Sequence, residues 1–222
     1  YNKNEITKLT AFDNPDYQGA AANNFQMQSV GYPLNSFFLY SQVYNEEGKP
    51  LEGVYADYDD NGTINDDDKK HIKSSEPSII AGFTTNLNYR NWTLSTVMRG
   101  SYDNYVYNGI NATYATYGTL FSASRSIVNV PANLLKTNFY YQQQYSDYYL
   151  ENASFIKMDN VTLTHNFDRL FNNSFHISAT FSVQNVFTIT KYSGTDPEIA
   201  NGIDRSFYPY PRIYALGLNF LF

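Results

Sequence analysis

The chain has 222 residues, no cysteine, a formal net charge of −6 and a pI near 5.0. Disulfides and zinc-thiolate sites are thereby excluded, and nucleic acid, which is held by Lys and Arg on phosphate, is not an expected partner. Aromatic residues make up 18% of the chain and charged residues only 16%, few for a water-soluble surface, yet mean hydropathy is −0.47.

Aromatic and apolar residues are therefore interleaved with uncharged polar ones, which suits a wall with lipid on one face and water on the other. No run reaches the roughly 18 apolar residues of a membrane helix, so a membrane would have to be crossed by strands. The opening residues YNKNEITKL have neither a basic nor an apolar leader region. The chain is expected to be leaderless or to lack its true N-terminus.

In chain order, residues 1–10 read as the end of a strand, and 14–31 as a loop rich in Asn, Gly and Ala. Residues 36–44 (SFFLYSQVY) are aromatic and β-prone, and Glu46, Gly48 and Pro50 end them in a turn. An acidic loop follows within 45–75. From Ser78 alternation is sustained: Ala81, Phe83, Thr85, Leu87 and Tyr89 face one way, Ile80, Gly82, Thr84, Asn86 and Asn88 the other. A short turn at Arg90 and Asn91 leads to Trp92, Leu94, Thr96 and Met98 alternating with Thr93, Ser95, Val97 and Arg99, which predicts an antiparallel hairpin. Residues 103–152 form a Tyr-rich excursion with a short helix expected near Val130 to Leu135.

Alternation resumes over Phe155 to Phe167, where Val161, Leu163, His165 and Phe167 share a face. A short turn at 168–173 precedes Phe175, Ile177, Ala179, Phe181 and Val183, which alternate with His176, Ser178, Thr180, Ser182 and Gln184. The last twelve residues, PRIYALGLNFLF, place Arg212, Tyr214, Leu216, Leu218, Phe220 and Phe222 on one large, almost wholly apolar side. Gly217, Phe220 and Phe222 resemble the C-terminal assembly signal of outer-membrane barrels, although Ala215 stands where a polar residue is usual. Connections alternate short and long, as in such barrels, which puts the long loops 45–75, 103–152 and 189–210 outside the cell. Roughly six strands are predicted, whereas a membrane barrel needs at least about eight, so the chain is expected to be the C-terminal piece of a longer barrel or to pair with one.

The sharpest local motif is Asp57 to Asp68 (DYDDNGTINDDD), whose spacing is that of the EF-hand calcium loop. Asp57, Asp59, Asn61, Thr63 and Asp68 are the candidate metal ligands, with calcium ahead of magnesium and a structural role. Gly62 permits the sharp bend, Asp68 replaces the usual Glu, and the preceding Gly53-Val54-Tyr55 reads as extended. An acidic turn held by its own hydrogen bonds is the alternative. Tyr105, Tyr107, Tyr114 and Tyr117 are candidate ligand or partner contacts through their amphipathic rings, set against loop packing and a membrane-interface girdle. Catalysis has little support: His71, His165 and His176 are scattered and no acid-base pair is tied to a strand end. Arg99 and Gln184 either line a pore or fill space.

Ordered blocks along the chain resemble the C-terminal portion of the SusC/RagA family of TonB-dependent outer-membrane transporters of Bacteroidota. The most specific runs from Ser146-Asp147-Tyr148-Tyr149-Leu150-Glu151 through Ser154-Phe155-Ile156-Lys157 to Asn160-Val161-Thr162-Leu163. Gly31-Tyr32-Pro33, the acidic loop with Pro77 and Gly82, Gln184-Asn185-Val186-Phe187, Tyr192-Ser193-Gly194, Asp196-Pro197-Glu198 and the ending from Tyr210 accompany it. The resemblance implies an all-β, antiparallel transmembrane segment of a barrel of about twenty-two strands. It also implies a plug, a SusD-like surface lipoprotein as lid, and TonB contact through an N-terminal region absent from this sequence. The expectation is thus a non-enzymatic part of an importer of glycan fragments or peptides. A non-transporting surface module that binds calcium and carbohydrate is the alternative.

Overall fold

The computed structural model describes residues 1–9, 19–121, 127–170 and 175–221. Its organising element is a five-stranded antiparallel sheet. The strands before it are short: β1 (Gly19–Asn23), β2 (Gln26–Ser29), β3 (Ser36–Tyr40), β4 (Gln42–Tyr44), β5 (Pro50–Tyr55) and β6 (Lys69–Ser74). The first long strands are β7 (Ile79–Tyr89) and β8 (Trp92–Tyr102). The connection after them carries β9 (Tyr105–Asn108), the helices α1 (Gly109–Tyr114), α2 (Tyr117–Leu120) and α3 (Leu134–Thr137), and β10 (Leu150–Asn152). Then come β11 (Phe155–Leu170), β12 (Phe175–Thr190), the two-residue β13 (Ile203–Asp204) and β14 (Ile213–Leu221). The large sheet has the order β14-β12-β11-β8-β7.

Register gives each face of this sheet its character. Leu87, Leu94, Leu163, Phe181 and Leu216 stand directly opposite one another across all five strands, and Tyr89, Trp92 and His165 continue the same face toward the short turns. One residue along, the other face carries the ladder Asn86, Ser95, Thr162, Ser182 and Ala215. Because side chains alternate strictly, a slip of one residue would exchange the two ladders, so the pattern specifies the register. Both predicted hairpins are present, with Arg90 in the left-handed region (φ 52°) to close the tighter one.

Among the described residues no second layer packs on the apolar face. Leu216 is 77% exposed, Tyr89 69% and Phe83 62%. The buried core lies instead among the long connections, where Phe25, Phe37, Leu39, Tyr107, Ala112, Tyr149 and Ile203 cluster. Here the structure departs from the sequence expectations. The loop expected over 14–31 contains the β1–β2 hairpin, and its residues 14–18 lie outside the described residues. The 36–44 strand does not join the wall: β3 pairs with β2 and β6, because Phe37 and Leu39 find a core only there. The wall therefore has five strands, not six. Residues 1–9 are not a strand, although Ile6 exchanges backbone hydrogen bonds with Gly31 and Tyr32. The helix expected near 130–135 starts at Leu134, since the bonds from Leu134 and Leu135 to Pro131 and Ala132 make a turn first. Among the described residues no helix is long and apolar enough to cross a membrane.

Candidate functional site

The polar face of the wall is a hydrogen-bonded surface without net charge over most of its height. Thr93 donates to Asn88 (2.8 Å), Ser95 donates to Asn86 (3.1 Å), and the Thr164 and Thr180 hydroxyls share a bond of 3.0 Å. At the long-loop end the charge rises sharply. Arg99 and Lys157 stand directly opposite each other on β8 and β11, an arrangement that is repulsive by itself. Asp159, at a bulge in β11, accepts from Arg99 at 2.6 Å. The segment between β12 and β14 supplies the remaining carboxylates: Lys157 donates to Asp196 (2.8 and 3.0 Å) and to Glu198 (3.1 Å), and Arg99 is paired bidentately with Glu198. Burial pushes the Glu198 carboxyl up, but hydrogen bonds from Arg99 and Lys157 outweigh it and hold it below the ordinary glutamate value. Arg99 is thus engaged and not a bare pore-lining cation. Sequence reasoning missed this cluster, because Lys157 has the parity of the apolar Val161 and Leu163, and only the bulge at Asp159 turns it to the polar face opposite Arg99.

The acidic loop joins β5 to β6, so strands flank it where an EF-hand has helices. Gly62 is in the left-handed region (φ 75°), and its N–H donates to Asp57 at 2.8 Å. The Asn61 N–H donates to Asp59 (3.1 Å) and the Thr63 N–H to the Asn61 side chain (2.7 Å). Asp68, fully buried, closes the loop by accepting from the Tyr58 and Asn65 N–H groups at 2.7 and 2.9 Å. These bonds, that from Asn65 first, hold its carboxyl below the ordinary value. One oxygen each of Asp57, Asp59 and Asp68 lie within 4.8 Å of one another, and Asp57 Oδ1 is buried with no hydrogen-bond partner. Three carboxylates, with the Asn61 side-chain oxygen and the Thr63 carbonyl nearby in sequence, are the donor types a hard cation takes, about six to eight oxygens in all for calcium. The loop is tied to the core-bearing sheet by Lys69 on Asp66 (2.8 Å), by the Tyr58 hydroxyl donating to Ser41 (3.0 Å), and by Lys70 over the Tyr58 ring.

The four candidate tyrosines do not form one platform. Tyr107 is in the core, 1% exposed, and its hydroxyl accepts from the Tyr145 N–H at 3.1 Å. Tyr107 and Tyr114 line a cavity of about 310 Å³ together with Phe25, Gln144, Tyr145 and Arg205. Tyr105 lies beneath Lys73, and Tyr117 stacks on Phe121. A cleft of about 750 Å³ shares Tyr145 with that cavity and brings Asn23, Gln26, Asp66 and Lys69 to its walls. Of the C-terminal residues, Phe220 lies on the apolar face opposite Ile177 and Gly217 on the polar face opposite Thr180, while Phe222 is outside the described residues. Trp92, His165 and Phe167 meet in sequence at the short-turn end, the first pair tilted and the second edge-on, with ring centres 4.3 and 4.4 Å apart, where an interfacial aromatic girdle belongs.

No protein-family model matches the chain. Over its whole length it is 39% identical to the TonB-dependent receptor SusC of Bacteroides thetaiotaomicron, of which it covers 24%. It is 26% identical to the TonB-dependent receptor P3 of Formosa agariphila, of which it covers 26%. The chain thus spans about a quarter of the length of the curated relatives it matches. Among solved structures, the RagAB peptide importer in its closed-closed state superposes with a TM-score of 0.71 at 23% identity, covering 96% of this chain and 25% of that one. Its open-open state gives 0.70 at 22% identity, again covering 96% and 25%. At such identity the structural likeness speaks to the fold.

Proposed function

We propose that the chain, as a C-terminal portion of a SusC/RagA-family TonB-dependent outer-membrane transporter, supplies barrel wall and extracellular loops to an importer of glycan fragments or peptides. The observation that supports this most is the ladder Leu87, Leu94, Leu163, Phe181 and Leu216, one residue per strand on a face that no layer of the described residues covers. A water-soluble binding module would have to hide that face. In the bilayer it meets acyl chains, and the polar ladder turns to the lumen.

The open edges of β7 and β14 pair with the rest of the barrel, since unpaired backbone groups are not tolerated in hydrocarbon. The folded long connections form the extracellular mouth, where a SusD-like lipoprotein acts as lid, and a plug and TonB-contacting region belong to the remainder of the parent protein. Gly217, Phe220 and Phe222 serve as the assembly signal. The Asp57 to Asp68 loop holds a calcium ion that stiffens the mouth, with Asp57, Asp59, Asn61, Thr63 and Asp68 as ligands. Tyr114 and the rings around it, together with the amide-lined cleft beside them, provide contacts for substrate or lid.

The test is uptake by intact cells of fluorescent oligosaccharides and oligopeptides, with and without the parent gene and with and without TonB. Uptake of one class that requires both genes is expected. Uptake of both classes unaffected by loss of the parent would contradict the proposal.

A further inference from the structure

Residues 191–212 do not loop away from the wall but cross back over its polar face. At one end they meet β8 and β11 through Asp196 and Glu198. At the other they join the loop core: β13 adds to β9 in parallel, the Tyr107 N–H donates to the Gly202 carbonyl (2.8 Å), and the Gln26 side chain donates to the Asn201 carbonyl (3.0 Å). The segment therefore connects two bodies that otherwise meet through chain continuity and short pairings.

Its grip on the wall is ionic at Asp196 and Glu198, and further along the Asn185 side chain of β12 donates to the Tyr210 carbonyl (2.9 Å). Lys157, with only 6% of its side chain exposed, finds both of its carboxylate partners on this segment. Apolar packing contributes little beneath it. A cavity of about 180 Å³ remains between Asn185, Phe187 and Thr188 of the wall and Thr195, Asp196 and Tyr210 of the segment. Without the segment, Arg99 and Lys157 would be left as adjacent cations with Asp159 alone to balance them. With it, the two cations face three carboxylates, Asp159, Asp196 and Glu198.

We propose that residues 191–212 are a releasable strap that couples the extracellular loop body to the lumen wall, latched by Asp196 and Glu198 on Lys157 and Arg99. Because the latch is made of charges, its release requires a change of partners and not the exposure of a core, which fits a part that opens and recloses. The wall's own hydrogen bonds do not depend on it, so the strap can lift while β11 and β12 stay paired.

The inference rests on the lumen assignment of the polar face, but hydrogen exchange reads the strap whichever way that face points, so the two fail separately. In the full-length transporter in lipid nanodiscs, the double variant Asp196→Asn with Glu198→Gln should speed amide exchange over 195–200 by about tenfold and leave 158–166 and 177–184 unchanged. Unchanged exchange in the strap would overturn the proposal. So would equal acceleration throughout β11 and β12, because the charges would then brace the wall and not the strap. If the double variant does not assemble, Glu198→Gln alone, at a side chain 40% exposed, should give about a threefold acceleration over 196–200. No change there overturns the proposal equally.

Discussion

Gly62 and Asp57 show how much a local motif can carry. The bend at Gly62 brings its N–H to Asp57, and the two N–H groups from Tyr58 and Asn65 orient Asp68, so the carboxylates converge before any ion is considered. Converging carboxylates repel, and a cation that relieves them should stiffen the loop. In the full-length protein, chelation is expected to make cleavage within 57–68 faster by about tenfold, with calcium restoring protection at lower concentration than magnesium. Asp57→Asn should abolish the calcium effect, and equal cleavage rates with and without chelator would count against the site.

This motif was legible because twelve consecutive residues contain it. Lys157, Asp196 and Glu198 were not, although Asp196-Pro197-Glu198 stood out as a block, because their meeting depends on how a long loop returns over a distant strand. Tyr107 illustrates the opposite limit. Composition marks it as a contact residue, whereas burial makes it part of the core on which other contacts are displayed.

At the scale of elements, the two long hairpins followed directly from alternation, since a period of two with one greasy face admits a single register. The pairing of β8 with β11 could only be inferred from parity, because residues 103–154 separate them. Short strands were the least legible. β1 is Gly- and Ala-rich and carries little side-chain signal, and β3 has the aromatic density of a wall strand but spends it on Phe25, Tyr107 and Tyr149 in the loop core. The two faces of β11 offer a paired test. Leu163→Arg, on the apolar ladder, should destabilise the assembled barrel by about 2–4 kcal/mol and lower its surface level. Thr162→Arg, one residue away on the polar ladder, should cost far less. The pair is read by urea unfolding of the reconstituted full-length protein and by surface immunoblotting. Similar losses at both positions would contradict the assignment of the faces.

For the molecule as a whole, the buried clusters of the described residues lie in the loops, and the apolar face of the largest sheet is left exposed. That inversion makes sense if the solvent of the sheet is lipid. Apolar side chains then need no protein partner, while backbone groups need one at every position, and the missing partners for β7 and β14 define what the remainder of the parent must provide. The deciding measurement is site-directed spin labelling along β12 in the membrane-reconstituted parent. This chain contains no cysteine, so once any cysteines elsewhere in the parent are replaced, labels can be introduced one at a time at positions 177 to 183. Labels at Ile177, Ala179, Phe181 and Val183 should collide with dissolved oxygen, and those at Ser178, Thr180 and Ser182 with a water-soluble nickel chelate, alternating residue by residue. A flat profile, or water-soluble relaxation at the Phe181 ladder, would mean that acyl chains do not cover this face and that the wall is not a membrane wall.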